Sequence, residues 1–411
     1  MDYGFDNFLL QSCSICVVKF CYPLSLLAAV SKSVIYMVNK MKIITLSANT
    51  SWYLYNFRKS TITRFIKEGY KVICISPKDD HTNNLINLGC EWFNLKMNNK
   101  GSNPFSDMKI IFRLLFLYIK FKPVASFHFT IKNNIYGTWA AFISNTPAIN
   151  NISGLGTAFI RKGLTSSIVR MLYRSSQPFA KRIYCQNEED YNLLIEKNLI
   201  HENKLYLLPG SGVDIKRFKP YLSVNDDRLF RFLYVGRLLA DKGLFELIEA
   251  MENINLEKPK CSLWICGFTN SDNISAISER DIKNWKSIPN IKWIKPNNEI
   301  ENVMKNVDCV VLPSYREGMP RSLLEAGAMG LPSVTTDVPG CRNIIQSGVN
   351  GFLCEAKNSK SLELAMLKML NMSQKDILRM GNTARNIVVK KFDEKIVIDT
   401  AMDALKSVEN N

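Results

Sequence analysis

From Ile43 onward, short apolar runs take turns with longer amphipathic segments, and this alternation constrains the fold more than any other feature of the chain. Ile43–Ser47, Lys71–Ser76 and Val124–Phe129 read as strands, and Tyr55–Gly69 and Asp107–Phe121 as helices. A strand–helix–strand order implies an α/β domain, a parallel sheet with helices on both faces. Near Leu207 the pattern resets, and Pro209-Gly-Ser-Gly212 reads as a hinge. A second series then begins, with strands at Phe230–Val235, Ser262–Cys266, Ile291–Ile294 and Cys309–Leu312 and helices at Leu244–Met251 and Glu299–Lys305. A chain of 411 residues is too long for one ordinary core. The expected organisation is therefore an extension over 1–40, one domain over 41–208, a second over 209–385, and a terminal helix within 386–411.

Ligands of such sheets sit at the carboxyl ends of the strands. In the second domain two turns occupy that place. The strand Cys309–Leu312 runs into Ser314-Tyr-Arg-Glu-Gly-Met-Pro, and the segment Ser322–Met329 is rich in helix formers. The turn directs bare backbone N–H groups and the positive end of a helix dipole at its neighbour, which suits a diphosphate. Glu317 and Glu325 are then placed to accept hydrogen bonds from sugar hydroxyls; an ordinary turn with two solvated acids fits the same residues. The other turn, Gly236-Arg237 to Lys242-Gly243, offers a glycine for close backbone approach and two cations to neutralise phosphate.

The first domain presents three loops at its sheet edge, Ser47–Phe57, His128–Asn134 and Ser153–Phe159. His128, one of 3 histidines, stands at a strand end, where it is a candidate to orient a hydroxyl or steady charge. A lone histidine is as readily structural. Asp79-Asp80-His81 are adjacent in a polar loop, which sets no coordination geometry, so no metal site is assigned.

The formal net charge of +16 is unevenly spread: residues 41–205 hold 22 basic and 10 acidic side chains, and residues 206–411 hold 28 and 25. A basic first half suggests an anionic partner, whether lipid headgroups, nucleic acid or a phosphorylated substrate. Lys109, Arg113 and Lys120 stripe the helix Asp107–Phe121, and Arg161, Lys162, Arg170, Arg174, Lys181 and Arg182 form a second basic series among apolar residues. The first reads either as an interfacial membrane helix or as a helix buried in the α/β domain with a narrow wet edge, and the second either as a membrane or lipid-diphosphate face or as a solvated helix face. The 11 cysteines indicate neither a zinc site nor a disulfide framework, and fit reduced thiols in the cytosol. Residues 1–40 are largely apolar from Phe8 to Val38. They fit a translation start at Met41, a membrane anchor, or a structural segment.

Val235-Gly-Arg-Leu with Lys242, Glu317-Gly-Met-Pro through Glu325, Pro339-Gly-Cys-Arg and Gly348-Val-Asn-Gly351 resemble the retaining family-4 glycosyltransferases of the GT-B fold. The two acids bracket seven residues, as in that family's EX7E motif. Trp52-Tyr-Leu-Tyr-Asn-Phe-Arg58, Ile131–Gly137 and Gly154-Leu-Gly156 are similar to a bacterial branch that builds polysaccharide repeat units on a polyprenyl diphosphate carrier. The resemblance implies two Rossmann-like domains facing a cleft, with the last helix, Phe392–Val408, crossing back onto the first.

It also implies roles for the residues. Arg237 and Lys242, beside Gly236, would hold the donor diphosphate, Glu325 the ribose and Glu317 the donor sugar. Backbone groups of Gly318, Met319, Pro320, Arg321 and Ser322 would cradle phosphate or sugar, and His128, Gly154 and Gly156 would close the cleft. No metal cofactor is implied; the co-substrate is a nucleotide sugar, UDP-linked. The implied acceptor is a lipid-linked saccharide at the cytoplasmic face of an anionic membrane, with no nucleic acid as partner. Gly267-Phe-Thr-Asn, Lys295 and Asn343 depart from the family pattern and leave base and sugar identity open. A soluble epimerase or sucrose-type synthase of the same fold, and a non-catalytic scaffold, are the competing readings.

Overall fold

The computed structural model describes residues 41–97, 104–155, 164–221, 229–256, 260–269, 273, 275–295 and 299–409. The extension 1–40, Gly156, Phe159, Arg161 and Lys162 lie outside the described residues. Residues 42–411 form one compact unit.

Two parallel sheets organise it. The first contains β1 (Ile43–Ser47), β2 (Lys71–Ser76), β3 (Glu91–Asn94), β4 (Ala125–Phe129), β5 (Ala148–Ile152), β6 (Arg182–Cys185) and β7 (Leu205–Leu207). The second contains β8 (Phe230–Arg237), β9 (Cys261–Phe268), β10 (Ile291–Ile294), β11 (Cys309–Leu312), β12 (Ser333–Thr336) and β13 (Gly351–Cys354). Their spatial orders are β3-β2-β1-β4-β5-β6-β7 and β10-β9-β8-β11-β12-β13. In each, chain order reverses direction between two central strands, β1 and β4 in one sheet and β8 and β11 in the other. The connections beyond them leave on opposite faces, so a crevice opens at the carboxyl ends there. Strands such as Cys309–Leu312 are buried throughout, as expected with helices on both faces.

The predicted strands recur within a residue or two of their positions. Helix starts differ more. The first helix begins at Ser51 rather than Tyr55, because Thr50 caps it by accepting from the Tyr53 N–H at 3.0 Å. The helix predicted at Ser322 begins at Arg321.

The chain returns to the first domain at its C-terminal end. Gln374–Lys391 is one uninterrupted helix, so the crossing comes at Phe392 and Asp393. The last helix, Glu394–Glu409, then packs against Ser51–Lys67. Ser60 donates to Glu394 at 2.8 Å and Tyr70 to Glu409 at 3.0 Å. Val397, Met402, Ala404 and Leu405 join the core of the first sheet.

Candidate active site

The crevices of the two sheets face one another across a cleft of about 2330 Å³. On the second-domain side, β8 and β11 are neighbours, with Cys309 registered against Phe232. Their terminal turns are stitched together: Tyr315 N–H donates to the Asp241 carbonyl at 2.9 Å, and Tyr315 hydroxyl to Glu246 at 2.6 Å. Gly243 adopts φ +71°, and a Cβ there would stand 2.0 Å from the Pro313 carbonyl oxygen. Only glycine allows the two turns to lie this close. As a result Lys242 forms an ion pair with Glu317, both largely buried. Gly236 and Arg237 line the same cleft, with Arg237 exposed at its wall.

The helix Arg321–Ala328 starts behind Pro320 without a side-chain cap. Its first N–H groups therefore lack a side-chain partner, beside Met319, Arg321 and Ser322, which line the cleft. Glu325, one turn inside, is buried and pairs with Arg321 at 2.8 Å. Burial pushes its carboxyl above the ordinary range, against the pull of Arg321 and Arg217. Arg321 also donates to the Asn56 carbonyl and lies over the Phe57 ring, 5.1 Å from its centre. It thereby ties this helix to the first domain.

The first domain supplies the opposite wall through Thr50, Trp52, Tyr53, Phe57, Thr130 and Ser153. Gly154 and Gly318 meet across the interface: a Cβ on Gly318 would stand 2.2 Å from the Ser153 carbonyl oxygen. Met319 packs on Gly210, and Trp52 meets Phe268 edge-on at 6.1 Å.

Of the residues expected at the site, Gly236, Arg237, Lys242, Glu317, Gly318, Met319, Pro320, Arg321, Ser322 and Glu325 do converge on this cleft. Gly154 reaches it through its contact with Gly318, and Gly156 falls outside the described residues. His128 does not belong there. It is fully buried, with Nε2 3.0 Å from the Tyr118 hydroxyl and Nδ1 2.8 Å from Asn150 Oδ1. Desolvation lowers its pKa to about 4, so the ring is neutral and both nitrogens are already engaged. Its strand position was read correctly, but β4 turns that side chain into the core rather than toward the cleft.

Sequence reasoning missed Asp190, Asn187 and Arg316. Asp190, nearly inaccessible, pairs with Arg316 at 2.5 Å, and Asn187 donates to the Gly318 carbonyl at 2.9 Å. Asn187 and Asp190 stand at a helix start, where Asn187 accepts from the Asp190 N–H, a common capping pattern with no signal for a contact so distant in sequence, and Arg316 is one basic residue of a loop.

The family model described as glycosyl transferases group 1 matches residues 217–387, and the one described as glycosyl transferase 4-like matches residues 42–187. Each half of the chain thus has its own match. The chain is a family-4-type glycosyltransferase.

Among curated relatives, the transferase is 28% identical over 306 residues to the capsular polysaccharide biosynthesis glycosyltransferase CapM of Staphylococcus aureus, covering 71% of this chain and 79% of that one. It is 27% identical over 365 residues to the N,N'-diacetylbacillosaminyl-diphospho-undecaprenol alpha-1,3-N-acetylgalactosaminyltransferase of Campylobacter jejuni, covering 84% and 93%. Among solved structures it resembles the sucrose-phosphate synthase of Thermosynechococcus elongatus, with TM-score 0.74, 16% identity, and coverage of 89% and 98%. It also resembles Anabaena HepE in complex with UDP and glucose, with TM-score 0.72, 16% identity, and coverage of 89% and 100%. The transferase therefore has the GT-B fold, and its cleft is the one that fold places between its domains.

Proposed function

We propose that the transferase moves a sugar from a UDP-linked donor to a lipid-linked saccharide, with retention at the anomeric carbon, in capsule, O-antigen or exopolysaccharide synthesis. The observation that carries the reading is the convergence of Arg237, Lys242, Glu317 and Glu325 on the β8/β11 crevice. Similarity to the Campylobacter jejuni transferase, named for an undecaprenol diphosphate acceptor, supports the acceptor class.

In this reading Arg237 and Lys242 hold the donor diphosphate, and Glu325 accepts from the ribose hydroxyls. Glu317 faces the donor sugar. The acceptor hydroxyl oxygen bonds to the anomeric carbon on the face from which phosphate departs, and its proton passes to the departing phosphate oxygen. Charge grows on that phosphate in the transition state, where preorganised cations and the uncapped helix start are most effective. Because those side chains supply the positive charge, turnover is expected without an added divalent metal. The work would take place at the cytoplasmic membrane face.

The test is to incubate the transferase with a panel of nucleotide sugars and an undecaprenyl-diphosphate-linked saccharide, with and without chelator. Product mass and the anomeric coupling constant are then determined. A mass gain of one sugar with retained configuration is expected. Turnover only on free sugars, or inversion, would overturn the reading.

A further inference from the structure

The helix Pro104–Phe121 buries one face, through Ile110, Leu114, Leu117 and Tyr118. Its opposite face is also apolar. Phe112 is 62% exposed, Phe116 55% and Ile119 58%, three side chains at helical spacing. The neighbouring helix Thr138–Ile143 adds exposed Phe142 and Ile143, and Phe142 stacks on Phe179 with ring centres 4.0 Å apart. Beyond it, the helix Leu164–Ser176 adds exposed Met171. The three helices share one core cluster against the first sheet, the first two in direct contact and the last two both packed on the turn Gln177–Phe179. A contiguous apolar surface of this kind marks a docking site rather than scattered exposure.

The charge on this face has one sign. Lys109, Arg113 and Lys120 flank the first stripe, and Arg170 and Lys181 flank the last. The acid of these segments, Asp107, is buried against Lys132 at 2.7 Å. Lys109 and Arg113 also line the cleft, so the apolar face reaches the mouth of the site. Aromatic side chains fringed by lysine and arginine match a bilayer interface, where rings enter the headgroup layer and cations meet anionic lipid.

We propose that these three helices dock the transferase on an anionic bilayer, with Phe112, Phe116 and Phe142 entering the headgroup layer. The mouth of the cleft then opens at the membrane surface. Only the purpose of this docking rests on the lipid-linked acceptor; the binding itself requires no turnover.

The test is co-sedimentation of the full chain with phosphatidylglycerol–phosphatidylcholine vesicles, without donor. The wild type is expected to bind them, and to release in high salt or when only phosphatidylcholine is present. Phe112→Ser with Phe116→Ser, and separately Phe142→Ser with Met171→Ser, should each weaken binding at least about tenfold. Their melting temperatures and their turnover of a water-soluble short-chain acceptor should not change, since the replaced side chains are exposed. Wild-type protein that ignores anionic vesicles, or variants that bind as tightly, would overturn the proposal. So would a wild-type dimer that the same variants dissociate, for the face would then join two copies. Intact vesicle binding without transfer to any lipid-linked acceptor would instead count against the proposed reaction alone.

Discussion

Asp190 in the first domain holds Arg316 of the second at 2.5 Å, one residue before Glu317. The same carboxylate accepts from the Leu155 N–H at 3.2 Å, beside Gly154, which meets Gly318. One buried acid therefore anchors the cleft loops of both domains and sets the closed arrangement around Glu317.

Asp190→Asn should lower kcat/KM by about 10- to 100-fold, corresponding to roughly 1.5–3 kcal/mol for a hydrogen bond to a charged group. Loss of the interdomain anchor should also enlarge the radius of gyration in solution scattering. A variant with wild-type kinetics and unchanged scattering would show that Arg316 holds the loop without help.

Lys242→Ala should reduce turnover by on the order of 100- to 1,000-fold, the usual cost of removing one preorganised charge from a transition state. The fold should survive with a lowered melting temperature, because each domain keeps its own core while Glu317 is left largely buried without its partner. Steady-state rates with saturating donor decide it, and a variant with unchanged turnover would remove Lys242 from the site.

Gly318→Ala places a methyl group 2.2 Å from the Ser153 carbonyl oxygen. The domains must separate to accommodate it, so transfer should fall more than about tenfold through misplacement of the reacting groups. Circular dichroism should stay native. Full activity in this variant would mean the closest approach of the domains is not needed for chemistry.

Glu325→Gln separates stability from binding. Burial raises the carboxyl above its unfolded value. The native state therefore favours the protonated form, and that contribution is lost as pH rises through the raised value. The variant should be no less stable than wild type at neutral pH, and any advantage should vanish below the ordinary carboxyl range. Its UDP affinity should nevertheless fall, by about tenfold for lost ribose hydrogen bonds. Thermal melts across pH with UDP titration calorimetry check both outcomes.

His128 gives the opposite sign. Its pKa is lowered to about 4 from 6.5. The stability it contributes is present above the unfolded value and is lost as pH falls toward about 4. The span corresponds to on the order of 3 kcal/mol. His128→Gln should remove that slope from denaturant-derived stabilities between pH 7 and about pH 4.5. It should leave kcat per folded molecule near the wild-type value. A large selective loss of kcat would return His128 to the chemistry.

The βα alternation, the paired turns and the acids at Glu317 and Glu325 were legible in the chain because each follows from local rules. Strand periodicity places a loop at a sheet edge, and a glycine turn leaves N–H groups bare before a helix. Of the face proposed to dock on a bilayer, only the stripe of cations was legible in the sequence. That the exposed side of Pro104–Phe121 is aromatic required knowing which face the sheet covers, since the helix is apolar nearly all round.

What the sequence determined alone was the order of strands, turns and helices, and with it a sheet edge suited to phosphate that carries Arg237, Lys242 and the two glutamates. Tertiary structure decided which side chains reach that edge. His128 sits at a strand end, yet β4 turns it into the core against Tyr118 and Asn150. Asp190 and Arg316 lie 126 residues apart and form their pair only when the two domains close. The physical reason is one of range. Backbone geometry and dipoles act within a few residues, whereas burial and ion pairing depend on surfaces that meet only after both domains have folded.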